Sequence, residues 1–186
     1  MNVHLPAAMT KPAFLAWAEG REERYELVEG RVVMMTGGAR ARWQIALNLA
    51  KALDARIDHA RWEVLPEFGV ELGPTTVRFP DIVIDVAGGA PSDKTARAPV
   101  LIVEVLSPSS ARIDLGDKAA EYLQLASLAG YVVVAQDEVK AWVWTRTDGG
   151  FLSGPAVLEG PTSVVSIPAL AIDLPLQEIY GRVRLS

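Results

Sequence analysis

Phe79-Pro80-Asp81-Ile82-Val83-Ile84-Asp85-Val86 opens the stretch whose reading decides the fold. It continues through Val100-Leu101-Ile102-Val103-Glu104-Val105-Leu106 and Ser107-Pro108-Ser109-Ser110 to a helical pattern carrying Asp114, Lys118 and Tyr122. Two runs of strand length each carry an acid, and the helix that follows carries a lysine. A carboxylate inside a run as apolar as Leu101 to Leu106 is costly to bury unless it has a partner. A hard cation such as Mg²⁺ is one such partner, since it takes oxygen ligands and usually one or two carboxylates. The stretch therefore points to a metal-dependent site.

Outward from it, the pattern predicts helices around a sheet. Thr10 caps a first helix that has Pro12 in its first turn and Gly20 at its end. Tyr25 to Val28, Glu29-Gly30 and Arg31 to Met35 read as a hairpin. Ile45, Leu49, Leu53 and Ile57 recur every four residues and predict a long amphipathic helix over 39–58. Trp62 to Leu65 and Phe68 to Leu72 read as one strand interrupted at Pro66 or as two short ones. A second long helix, Asp114 to Leu128, has an apolar stripe of Leu115, Ala119, Tyr122, Leu123 and Ala126, with Gly130 as its stop. Tyr131 to Val134 is a buried strand. Lys140 to Thr145 alternates, with Trp142 and Trp144 on one face. The tryptophans read as core and sheet-face packing; the alternative for this pair is an exposed interface on an edge strand. The class is α/β, a central mixed sheet flanked by helices with antiparallel pairing in its middle. Residues 1–186 are expected to form one domain, 1–22 a helical extension and 150–186 a tail holding a short strand and a helix near Leu176 to Tyr180.

The chain has 186 residues, half of them hydrophobic, with a net charge of −5 and a pI near 5.1. That supports a proper core. It excludes a broadly basic nucleic-acid binder, so any such contact needs a local basic patch. Without cysteine there is neither a disulfide framework nor a thiolate metal site. No apolar run approaches the roughly 20 residues that span a membrane, and no signal peptide is visible at Met1 to Thr10. The expectation is a cytoplasmic protein without a membrane partner.

Four elements in order, Tyr25-Glu26-Leu27-Val28-Glu29-Gly30, Phe79-Pro80-Asp81, Val103-Glu104-Val105-Leu106-Ser107-Pro108-Ser109 and Asp114-x-x-x-Lys118-x-x-x-Tyr122, resemble the Uma-two family of restriction-endonuclease-like proteins, within the PD-(D/E)xK nuclease superfamily. The resemblance covers roughly Tyr25 to Trp144. It implies a restriction-endonuclease-like αβββαβ core and a Mg²⁺-dependent endonuclease (Mn²⁺ as substitute) that hydrolyses DNA phosphodiester bonds. It makes Asp81 and Glu104 the metal-binding acids and Glu26 a further ligand or a group behind the ligands. Superfamily members usually carry a lysine two residues after the second acid. That position is Leu106 here, and Lys118 on the next helix is the match. Many relatives carry a histidine near the start of the first long helix, where this chain has Arg42. The alternative is an inactive nuclease fold serving as a binding or assembly module. A homodimer is expected, because the Trp142 and Trp144 face and the apolar C-terminal tail exceed what a small monomer need expose, and the resemblance adds that duplex cleavage in this superfamily commonly uses two subunits.

Each site has a blander reading. Asp81 could cap a turn while Glu104 pairs with an arginine. Asp114 and Lys118 could be an ordinary surface pair worth a few tenths of a kcal/mol. In the functional reading the two acids would repel unless a cation lies between them, and Lys118 neutralises transition-state charge. Lys118→Met is then expected to spare folding and metal binding. Ser107 and Ser109 could touch phosphate before a helix N-terminus, although strand exit and helix capping are the simpler view. Among Arg40, Arg42, Lys51, Arg56 and Arg61, Arg42 is the best candidate for a phosphate contact; interleaved Asp54 and Asp58 suggest a solvated face for the others. His4 and His59 have no metal-site spacing.

Overall fold

The computed structural model describes residues 8–35, 37–106 and 111–185. In chain order these form α1 (Lys11–Ala18), β1 (Tyr25–Val28), β2 (Arg31–Met34), α2 (Arg40–Asp54), β3 (Trp62–Pro66), β4 (Val70–Leu72), β5 (Thr76–Arg78), β6 (Ile82–Val86) and β7 (Leu101–Leu106). A π-helical turn, Ile113–Asp117, leads into α3 (Lys118–Tyr122). Then follow β8 (Gly130–Ala135), β9 (Lys140–Thr145), β10 (Ala156–Glu159), β11 (Val164–Ile167), β12 (Ile172–Pro175) and α4 (Leu176–Ile179).

A six-stranded sheet in the order β10-β9-β8-β7-β6-β3 is the centre of the fold. Its neighbours pair antiparallel except β7 and β8, which run parallel with α3 in the crossover between them. Taken in sequence, α2, β3, β6, β7, α3 and β8 make the αβββαβ core. Ile45, Leu49 and Leu53 recur at helical spacing, so α2 buries them against Ile82, Ile84, Val103, Val105, Val132 and Val134. Each such side chain contributes about 1.5–3 kcal/mol by leaving water. The opposite face carries Val83, Ile102, Tyr131 and Val133, covered by Ala119 and Tyr122 of α3. The alternation along β7 thus sends Val103 and Val105 towards α2 and Ile102, Glu104 and Leu106 towards α3. A second sheet, β2-β1-β5-β4, packs Leu27, Val32 and Val77 against Phe14 of α1. Thr10 caps α1 as expected, its hydroxyl accepting from the Ala13 amide.

The structure departs from the sequence expectations in five places. First, the helix at α2 ends at Asp54 rather than residue 58, although Ile57 is still buried beyond it. Second, Trp62 to Leu72 forms two short strands, the second of the two readings, but β3 and β4 enter different sheets with Glu67 between them at φ 54°, and β5 was not anticipated. Third, the helix expected to reach Leu128 stops at Tyr122, and turns at Leu125 and Leu128 carry the chain into β8. Gly130 is the first residue of that strand, where a Cβ would meet Ile167 Cδ1 at 2.9 Å. Fourth, β9 is not an edge: β10 covers it, and Trp144 is buried against Tyr131. Fifth, residues beyond 150 are more than a tail. The β11–β12 hairpin and α4 place Ile172, Leu174, Leu176 and Ile179 in the same cluster as α2. Among the described residues no helix is long and apolar enough to cross a membrane.

Candidate active site

The site forms at one end of β6 and β7. Ile82 pairs with Val103 across the ladder, which sets Asp81, one residue earlier, beside Glu104. Both acids are buried, as are Glu26, Asp114, Lys118 and Arg78. Burial without partners would be prohibitive, and each of the six has partners.

Asp81 is held from the α2 side. Its Oδ2 accepts the Val105 amide at 2.7 Å, and Arg42 Nη2 donates to Oδ1 and Oδ2 at 2.8 and 2.9 Å. Arg42 Nη1 donates to the Val105 carbonyl at 3.0 Å. Burial raises the Asp81 pKa above the ordinary range, with Arg42 and the Val105 amide opposing the rise. Asp81 and Arg42 face a cleft of about 350 Å³ that Met34, Trp43 and Glu67 also line.

Glu104 is held from the α3 side. Its Oε1 accepts Lys118 Nζ at 2.8 Å and the Tyr122 hydroxyl at 3.3 Å. Burial pushes Glu104 up to about 8; Lys118 pulls the other way, and Asp81 and Asp114 add to the rise. Lys118 also lies 3.3 Å from Asp114 Oδ1 and 3.7 Å from Glu26 Oε1. Burial works against its charge, but Glu104, Glu26 and Asp114 outweigh burial and raise its pKa, so the ammonium persists.

The π turn helps explain why one helix supplies so many groups. The Lys118 amide reaches back to the Ile113 carbonyl, one residue further than in an α-helix. Asp114, Lys118 and Tyr122 all end up buried. The Tyr131 hydroxyl donates to the Asp114 carbonyl at 2.8 Å, tying that turn to β8. Asp114 and Lys118 are therefore not a solvated surface pair.

Glu26 lies behind the acids. Its Oε1 accepts the Phe79 amide at 3.2 Å and its Oε2 accepts Arg78 Nη1 at 3.0 Å. It therefore steadies the Phe79-Pro80-Asp81 corner as well as Lys118. Arg78 turns its other side to Glu121, donating to both carboxylate oxygens at 2.8 Å. Sequence reasoning missed Arg78 and Glu121. The available signal was an arginine two residues before Pro80, next to Val77, where a buried cation needs acids. The bond from Arg42 to Asp81 carries no sequence signal, because 39 positions separate the two. Ser107 and Ser109, weighed above as phosphate contacts, lie outside the described residues, as does His4.

The donor chemistry fits a hard divalent ion. Two carboxylates stand on neighbouring strand ends, and the Asp81 carboxylate and the Val105 carbonyl already converge on one cationic group. Among the described residues no three His, Cys, Asp or Glu side chains group as a metal cage. A metal here would take Asp81, Glu104, a backbone oxygen and water, as Mg²⁺ commonly does.

A mixed sheet with the αβββαβ order and acids at adjacent strand ends defines a nuclease-type fold of the restriction-endonuclease-like class. The chain belongs to the Uma2 family, described as "Putative restriction endonuclease", which matches residues 12–177. The same fold is found in the crystal structure of a protein described as a putative nuclease belonging to DUF820 from Anabaena variabilis. The two share 16% identity with a TM-score of 0.76, covering 95% of this chain and 99% of that one. Two uncharacterized proteins of a Synechocystis strain are also similar. For slr1290 the identity is 26%, over 81% of this chain and 83% of that protein; for sll1609 it is 24%, over 73% and 80%.

Proposed function

We propose that this chain is a Mg²⁺-dependent endonuclease, able to use Mn²⁺, that hydrolyses DNA phosphodiester bonds at Asp81, Glu104 and Lys118. The observation that carries the reading is the buried meeting of these three at the ends of β6 and β7. A bound Mg²⁺ would polarise the phosphate and lower the pKa of a bound water. Asp81 and Glu104 would hold the ion. Lys118, kept charged by its carboxylates, offers a fixed positive charge to the developing phosphorane-like oxygens. Glu26 keeps Lys118 and the Asp81 corner in place, and Trp43 and Met34 wall the cleft.

A polyanionic partner needs a basic surface in a chain of net charge −5. Arg40, Arg182 and Arg184 supply one: they line a cleft of about 550 Å³ at the N-terminal end of α2, the end from which Arg42 reaches Asp81. No acidic side chain pairs with these three among the described residues. The reading includes a homodimer, because two subunits place one site on each strand of a duplex. Light scattering at tens of micromolar tests that part.

The decisive experiment incubates plasmid and single-stranded DNA with Mg²⁺ or Mn²⁺, with Asp81→Asn as the control. Metal-dependent cleavage lost in the variant is the expected result. The second reading, a non-cleaving binding or assembly module, is favoured by one observation: Arg42 and Lys118 already neutralise the two acids. Absence of both cleavage and metal binding would overturn the nuclease reading and leave this one in its place.

A further inference from the structure

Arg42 is committed in an unusual way for a surface arginine. Its guanidinium spans three oxygens, Asp81 Oδ1 and Oδ2 and the Val105 carbonyl, at 2.8, 2.9 and 3.0 Å. The first two belong to the acid that would hold the metal, and the third is the carbonyl next to Glu104. A planar, permanently charged fork fits such an oxygen array well. We infer that the Arg42 guanidinium occupies the seat of the divalent cation, so that metal loading requires Arg42 to swing out. This inference rests on the metal reading of Asp81 and Glu104.

A divalent ion on the same three oxygens would stand in van der Waals contact with the guanidinium and repel it, so the two positions compete. The chain also makes room for the closed position. At Gly38, just before α2, a Cβ would lie 2.4 Å from Arg42 Cδ and 3.3 Å from its Cγ. Only glycine lets the arginine stem lie across that backbone. Arg42 lines the open cleft beside Trp43, which gives the displaced side chain somewhere to go. A phosphodiester entering the cleft would offer the freed guanidinium an anion in exchange for Asp81.

The test is a Mn²⁺ titration by calorimetry on four proteins: wild type, Arg42→Ala, Gly38→Ala and Asp81→Asn. Expected is tenfold or tighter binding in Arg42→Ala and a smaller gain in the same direction in Gly38→Ala. Asp81→Asn should bind no Mn²⁺. Gly38→Ala keeps the test available if Arg42→Ala does not fold, because it retains the arginine and only crowds its stem. Equal or weaker binding in both variants, with binding still lost in Asp81→Asn, would overturn the plug and leave the metal site standing. Binding absent from all four proteins would overturn both, and Mn²⁺ bound equally by all four would place the metal elsewhere and overturn both as well.

Discussion

Lys118 sits where three carboxylates meet, and its removal is a structural event as well as a chemical one. In the functional reading of the sequence, Lys118→Met spares the fold. Its burial against Glu104, Asp114 and Glu26 says otherwise. Methionine would leave the buried Glu104 and Asp114 without a cation, while Glu26 keeps Arg78, and breaking a buried pair costs about 3–5 kcal/mol. Urea denaturation should show that loss, and DNA cleavage by the folded fraction should fall about a hundredfold. The residue scale was partly legible. Glu104 announced itself as a charge inside an apolar run, and Lys118 followed once Leu106 was seen where a lysine is usual. Arg78 stayed hidden because β5 is three residues long and breaks no visible pattern. Arg42 on Asp81 is a product of tertiary folding, which spacing does not encode.

The elements were legible where periodicity was strong and misread where backbone irregularity decided. The stripe of α2 and the apolar runs of β6, β7 and β8 stood out. The helix before β8 looked longer than it is, because Leu123 and Ala126 continue a helical spacing that the chain abandons after Tyr122. β10 was invisible among glycines and prolines, and that made β9 look like an edge. The π turn gives a prediction at this scale. Gly116 lies within it, and a Cβ there would meet nothing within 4 Å. Its φ lies outside the left-handed region. Gly116→Ala should therefore stabilise the protein by about 0.5–1 kcal/mol, chiefly by restricting the unfolded chain. A thermal melt checks it; a lower melting temperature would mean the turn needs glycine's freedom.

At the scale of the whole molecule, proton uptake and chain length are the informative variables. Burial raises Glu104 from an ordinary 4.5 to about 8, and it raises Asp81 too. Between those values the unfolded chain has lost the Glu104 proton while the folded chain keeps it. The folded state thus binds more protons, and this group's contribution to stability falls as pH rises from about 4.5 to about 8, then levels off. Melting temperatures from pH 5 to 9 should fall more steeply in the wild type than in Glu104→Gln. A chain ending at residue 149 tests the other variable. It would lose Ile172, Leu174, Leu176 and Ile179 from the cluster that α2 completes, together with the strand that covers β9. Expected is loss of a cooperative melt; a folded truncation would show that the last elements are an appendage after all.

The buried ionic cluster changes what another molecule meets on approach. Four buried carboxylates, Glu26, Asp81, Glu104 and Asp114, face two buried cations, Arg78 and Lys118, and the half-buried Arg42 and Glu121 balance each other at the rim. With every carboxylate counted as charged, as in the net charge of −5, the cluster holds two of the five negative charges away from the exterior, and a proton on Glu104 removes one of them. Asp85, buried under the Arg97 and Ala98 amides, keeps a third. The outward-facing side chains are therefore nearer to electrical balance than a pI of about 5.1 suggests. Against so weak a background, three arginines around one cleft set the local sign of the field, and any polyanion that met this face would be steered by them rather than by the average.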